Sequence, residues 1–283
     1  EYMAALLTSV LDSQGKIAEY IAECRSLGIR LLPPDINQSG PDFTVAGRDI
    51  RFGLAALKGV GRGFTNAVLA RRQADGPFTS FPDFCQRLLD EDLNKRVLES
   101  LIRAGAFDAM GVRRSQLLDA YEQLIDSLTR NRRKNLEGQF DLFSLGQEKP
   151  EPVELVLRDL PEFSQEELMT MEKEVTGLYL SGHPMDAYRD TVRAQGAVPI
   201  ASVLEDFAQE EGPTQFQDGQ RILLAGVVAA AKTKTTKNNS LMAYVTLEDD
   251  TGSLELLVFS RVLEESGSYL QVNLPILTEG RIS

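Results

Sequence analysis

The apolar residues of this chain keep one spacing over its first two thirds and another over its last third. Up to about residue 194 they recur every three or four positions; beyond residue 219 they alternate. One secondary-structure class cannot bury both patterns, so a mainly helical part must precede an all-β part. The polar stretch 207–219 reads as the linker between them. After it, residues 222–228, 242–247, 254–258 and 275–282 read as strands, and Asp250-Thr251-Gly252 as a tight turn. Short strands with a curved first member fit a barrel of the OB type, which needs five strands. Four are found, with a helix over 260–270, so the barrel looks cut off. The expected fold is multidomain: mainly α with a helix-hairpin-helix unit, followed by an all-β OB-type barrel that is incomplete.

The helical part subdivides. Residues 1–32 read as two helices, with Ile17, Tyr20, Ile21, Cys24 and Leu27 on one face, Gly28 ending the second and Pro33-Pro34 preventing its resumption. Phe43-Thr44-Val45 and Ile50-Arg51-Phe52 form a strand pair around Ala46-Gly47. A compact helical run follows: a short helix at 54–57, another opening at Phe64, one starting near Ser80 with Pro82 in its first turn, one from Lys95 to Ala104, and one over 114–128. Residues 129–160 read as an exposed polar loop and Phe163 to Tyr179 as an acidic helix. Gly182-His183-Pro184 breaks that helix, and a last one covers 185–194. The expected domains are 1–46, helical; 47–160, the hairpin unit with the following loop; 161–215, an acidic helical connector; and 216–283, the barrel.

The net charge of −12 argues against nucleic acid until its distribution is considered. Arg48, Arg51, Lys58, Arg62, Arg71 and Arg72 cluster against one acid, Asp49, whereas acids dominate 148–220. A basic face can therefore meet phosphates despite the total. No window is apolar for long enough to span a membrane. Cys24 and Cys85 offer no metal-ligand spacing, and the single histidine, His183, does not complete a site with them, so no metal is expected. A reducing cytoplasm fits this cysteine usage. The opening Glu1-Tyr2-Met3 suggests an internal piece of something larger.

Three segments carry chemistry. In Lys58-Gly59-Val60-Gly61-Arg62-Gly63, between two helices, glycines permit a tight turn and close approach of a phosphate to backbone amides, with Lys58 and Arg62 adding charge. Such a site grips duplex backbone without reading bases; the alternative is a plain helical hairpin with glycines for the turn alone. Gln139-Phe140-Asp141-Leu142-Phe143 sets large apolar residues in a polar stretch, suited to docking a peptide in a partner's groove; the alternative is that Phe140, Leu142 and Phe143 cap a core. Lys232, Lys234 and Lys237 lie in an expected first barrel loop, with Tyr244 and Phe259 as stacking surfaces for single-stranded nucleic acid. A solvated hairpin, with Phe259 in the core, is the other reading. His183 reads as a structural residue at a break, Asp249-Asp250 as turn chemistry, and no catalytic set is complete.

In order along the chain, four motifs resemble the C-family replicative polymerases of bacteria, the DNA polymerase III alpha subunits. Glu19-Tyr20-Ile21 through Leu32-Pro33-Pro34-Asp35-Ile36-Asn37 resembles the end of that family's fingers domain, and Arg51-Phe52-Gly53-Leu54 through Gly59-Val60-Gly61 its helix-hairpin-helix unit. Gln139 to Phe143 is similar to its internal sliding-clamp-binding motif. Leu178-Tyr179-Leu180-Ser181-Gly182-His183-Pro184 resembles the segment leading into its OB domain. The resemblance implies a DNA-directed DNA polymerase as parent, with DNA, the sliding clamp and other replicase subunits as partners. It also implies that the palm carboxylates, and the Mg2+ they hold, lie outside this segment, so that no cofactor is expected here and the segment alone is inactive. The rival is a helix-hairpin-helix DNA glycosylase, for which Asp83 stands at a suitable distance after the hairpin, although the flank Pro77 to Pro82 does not resemble theirs. A non-enzymatic adaptor is the third reading.

Overall fold

The computed structural model describes residues 1–11, 13–136, 155–209, 212–236 and 239–283. They form two compact units, Glu1–Ser181 and Gly182–Ser283. In the first unit, α1 (Tyr2–Ser9) and α2 (Gln14–Ser26) precede a small sheet. In that sheet β3 (Asp49–Arg51) lies between β1 (Leu31–Leu32), parallel to it, and β2 (Thr44–Ala46), antiparallel. A 3-10 turn, Leu54–Ala56, leads into α3 (Arg62–Asp75). Next come α4 (Phe81–Arg87) and α5 (Lys95–Arg103), each started by a side-chain cap, Ser80 on the amide of Asp83 and Asn94 on that of Val97. The last two helices are α6 (Arg114–Leu136) and α7 (Gln165–Thr176), the latter opened by a capping box between Ser164 and Glu167.

One continuous core joins these elements. At its centre Phe84 meets Phe64, Phe78 and Phe107 edge to face, and Phe107 meets Phe81 likewise. Each such ring contributes about 1.5–3 kcal/mol by burial, with a smaller increment from ring geometry. A buried ion cluster ties α7 to this core. Glu172, 1% exposed, accepts from the Arg114 guanidinium and from the amides of Leu180 and Ser181, and Arg114 also pairs with Asp108.

The second unit opens with a 3-10 helix, Pro184–Tyr188, then α8 (Arg189–Ala194) and α9 (Ile200–Phe207). Its curled antiparallel sheet has the order β6-β5-β4-β7, from β4 (Arg221–Thr235), β5 (Leu241–Glu248), β6 (Ser253–Val258) and β7 (Pro275–Arg281). A bulge between Val228 and Ala230 bends β4, which lets its first half pair β7 and its second half β5, as an OB-like sheet requires. Along β5, Ala243, Val245 and Leu247 are buried and the intervening residues are not. One buried cluster lies against α10 (Ser260–Ser266) through Leu263.

Several sequence expectations differ from the structure. The loop expected over 129–160 begins later, because α6 continues to Leu136: the basic run from Arg130 contains good helix formers and no breaker, and Arg132 is held by Asp90. The linker expected over 207–219 is partly anchored. Asp206 accepts from the amides of Thr214, Gln215 and Phe216, and Phe216 is buried in the second unit. Helix α9, just before it, was not anticipated. Lys232 and Lys234 lie on β4 and not in a loop, since the β4–β5 register persists to Thr235 opposite Leu241. Residues 161–215 are shared between the units, α7 packing in the first and α9 in the second.

Candidate nucleic-acid interface

The hairpin between the 3-10 turn and α3 is built from backbone. Gly59 has φ +81°, a conformation that a side chain would strain. Val60, 5% exposed, plugs the turn into the core, and its amide bonds to Leu57 O. The turn is fixed from two sides: Lys58 donates its amide to Val175 O of α7, and its carbonyl accepts from Ser100 Oγ of α5. Lys58 and Gly59 are exposed, and so are Gly61, Arg62 and Gly63. Helix α3 has Gly61 as its N-cap and no side-chain cap, and its first helical bond runs from Thr65 N to Gly61 O. The amides of Gly63 and Phe64 therefore have no partner among the described residues.

Gly61 and Gly63 pose a physical question. Neither has positive φ, and a Cβ built on either would meet nothing within 4 Å. Packing within the protein does not require them. Glycine in a helix costs about 0.5–1 kcal/mol relative to alanine, so at Gly63, the second residue of α3, open space is kept over the first-turn amides at the expense of stability. At a helix N-terminus that arrangement admits an anion to the backbone.

The charge around the hairpin differs from the sequence count. Arg62 grips Asp42, with Nη2 to Oδ1 at 2.6 Å, and Arg71 pairs with Glu91. Arg72 donates to the carbonyls of Ile36 and Ser39, and desolvation pulls its pKa down although Asp35 opposes this. Arg51 donates to Pro33 O and Gln38 Oε1. Lys58 forms no ion pair among the described residues. The same holds for Arg96, a residue that the sequence reading did not single out. It stands on the first turn of α5 with its Nε 3.2 Å from where a Gly59 Cβ would sit. The sequence around it, Lys95-Arg96, shows charge but nothing that places Arg96 beside Gly59.

Residues 28–117 match a family model described as a helix-hairpin-helix motif. The alpha subunit of DNA polymerase III from Thermus aquaticus is 38% identical over 281 residues, covering 98% of this chain and 22% of that protein. The corresponding subunits of Saccharopolyspora erythraea and Mycobacterium tuberculosis are 36% and 35% identical over the whole chain, each covered to 24%. The chain belongs to the DNA polymerase III alpha family. It spans about a quarter of the length of these curated relatives.

Within this polymerase III alpha segment the other expected site residues are placed as follows. Gln139, Phe140, Asp141, Leu142 and Phe143 lie outside the described residues, as does Lys237. On the sheet, Lys232, Tyr244 and Leu257 stand in one cross-strand row and Lys234 faces Met242 in the next. Tyr244 is half-buried, and Phe259, the residue before α10, is 64% exposed and thus not core. His183 is buried as a cap: Nδ1 accepts from Met185 N, and its amide donates to Asp186. Asp249 organises its own turn through the amides of Thr251 and Gly252 and caps α9 at Ile200. Asp83 is occupied with the amide of Thr79 and the guanidinium of Arg87 at the start of α4. Among the described residues no group of three or more His, Cys, Asp or Glu is arranged to hold a metal ion, and no helix is long and apolar enough to cross a membrane.

Proposed function

We propose that this chain is the segment of a replicative DNA polymerase that holds duplex DNA by its phosphate backbone and tethers the enzyme to a sliding clamp. Duplex contact rests on one observation above the rest: space left over the amides of Gly63 and Phe64, without a partner among the described residues, by glycines that packing among those residues does not need. Lys58, at the same turn, supplies a cation. Such a grip reads no bases, so affinity should be independent of sequence and fall with salt. The helix-hairpin-helix match and the names of the relatives support the same reading. Titrating a short duplex of mixed sequence at several salt concentrations tests it. Absence of binding at low salt, or affinity that follows base sequence, would refute it.

The clamp contact rests on Gln139 to Phe143. Leu142 and Phe143 enter an apolar pocket of the clamp, Gln139 fixes orientation, and Phe140 and Asp141 tune the fit. A weak peptide contact joined to weak backbone contacts gives long residence on DNA. The double variant Leu142→Ala/Phe143→Ala should lose clamp binding in calorimetry while keeping duplex affinity; clamp binding that survives it removes the assignment. Lys232 and Tyr244 in one cross-strand row, Lys234 in the next, and Phe259 make the surface for template single strand. Polymerisation belongs to the whole polymerase, with its metal ions, other replicase subunits and cytoplasmic setting, and no residue described here is assigned a catalytic role. The glycosylase reading loses its candidate, because Asp83 is engaged as a helix-start residue.

A further inference from the structure

The chain contains a second helix-turn-helix, α4 to α5, next to the glycine hairpin, and its chemistry is reversed. Its turn holds Asp90, Glu91 and Asp92, the last at φ +54°. Asp90 pairs with Arg132 and Glu91 with Arg71. The start of α5, unlike that of α3, is already capped, since Asn94 Oδ1 accepts from Val97 N at 3.0 Å. A phosphate approaching this turn would meet carboxylates and an occupied amide.

Helix α5 nevertheless reaches the first hairpin. Ser100 Oγ donates to Lys58 O, and Arg96, one helical turn earlier on the same face, lies with its Nε, Cγ and Cδ beside Gly59. Its neighbour Lys95 is held by Glu122 and Asp126, whereas Arg96 is exposed and forms no hydrogen bond or ion pair among the described residues. From this arrangement we infer that Arg96, carried by the second hairpin, is a phosphate-binding residue of the first. The two hairpins make one phosphate site and not two, and the duplex is gripped on a single strand at this point. The inference rests on the duplex-binding reading above and adds to it the residue that completes the site.

The test is a fluorescence titration of a mixed-sequence duplex with the 283-residue chain and three variants, at salt from about 50 to about 200 mM. Arg96→Ala should weaken low-salt binding roughly tenfold and lower the slope of log K against log salt by about 0.9, the share of one phosphate contact. The deficit should therefore shrink about 3.5-fold across that salt range. Arg96→Lys should restore most of the slope, because a charge reaches the same phosphate without the bidentate fork. Lys95→Ala removes the same formal charge one residue away and should leave slope and affinity nearly unchanged. If Arg96→Ala behaves as Lys95→Ala does, the inference is overturned while duplex binding stands. If the unmodified chain binds no duplex, the underlying reading fails instead. Arg96 is exposed, so a melting curve matching that of the unmodified chain separates loss of contact from loss of fold.

Discussion

Replacing Gly63 by alanine should make the protein more stable and less able to hold DNA. Gly63 is the second residue of α3, its backbone is helical, and the new methyl group would meet nothing within 4 Å. Alanine there loses less chain entropy on folding, which stabilises by about 0.4–1 kcal/mol. For a chain of this length that raises Tm by about 1–4 °C. The methyl would stand in the space through which a phosphate oxygen must come within about 2.7–2.9 Å of the amides. Losing or lengthening one hydrogen bond to a charged group is worth roughly 1.5–3 kcal/mol, so duplex affinity should fall at least about tenfold. A melting curve and a duplex titration on the same sample read both quantities. Their opposite signs matter, because a damaged fold lowers stability and binding together. Higher stability with unchanged affinity would refute the argument that the open space belongs to a ligand. Lower stability would show that the methyl group meets part of the protein after all.

Glu172→Ala should destabilise the first unit by about 3–5 kcal/mol, since it leaves the buried Arg114 guanidinium and two amides without their carboxylate. A loss of under about 1 kcal/mol in the unfolding free energy from denaturant titration would contradict it. The Asp206 carboxylate supplies an acid limb. Desolvation pushes its pKa up, but the amides of Thr214, Phe216 and Gln215 outweigh this and hold it below the usual carboxylate range. A depressed folded-state pKa gives stability that is complete above the unfolded value of about 3.9 and lost as pH falls through the folded one. Asp206→Asn should accordingly be less stable at neutral pH by a margin that narrows below about pH 4. Circular dichroism suits this measurement, as the chain has no tryptophan, and a margin constant from neutral pH into acid would rule the assignment out.

Local signals were legible where local chemistry decides. Ser80 followed by Pro82 placed the start of α4, Ala46-Gly47 placed the turn between β2 and β3, and alternation placed β5 and β6 nearly to the residue. Polarity misled at Arg130–Leu136 and at Lys232–Thr235, because charged residues are as compatible with a solvated helix face or outer strand as with a loop. Charge was counted correctly but partners were not. Arg62 meets Asp42 and Arg71 meets Glu91, each across twenty residues, so a local basic excess overstated the cations facing solvent. Arg96 was invisible for the complementary reason. Only the docking of α5 through Ser100 on Lys58 O brings it to Gly59, and no pattern near residue 96 encodes that contact.

The Arg62–Asp42 pair offers a last test of how this acidic chain would present a site for an anion. Both side chains are partly exposed, 54% and 37%, so the pair contributes about 0–1 kcal/mol to stability and its loss is tolerated. Its carboxylate is paired with the guanidinium of Arg62, the first residue of α3, and so adds negative charge near the start of that helix, where it opposes an approaching phosphate. Asp42→Asn removes that charge and releases the Arg62 fork from it. At a separation of several ångströms in a largely aqueous setting the change amounts to roughly 0.5–1 kcal/mol, or about two- to fivefold tighter duplex binding at low salt. Because it acts through charge, the gain should fade as salt rises. If Asp42→Asn binds duplex no more tightly than the unmodified chain, DNA does not approach the start of α3. The open space over Gly63 would then need another explanation.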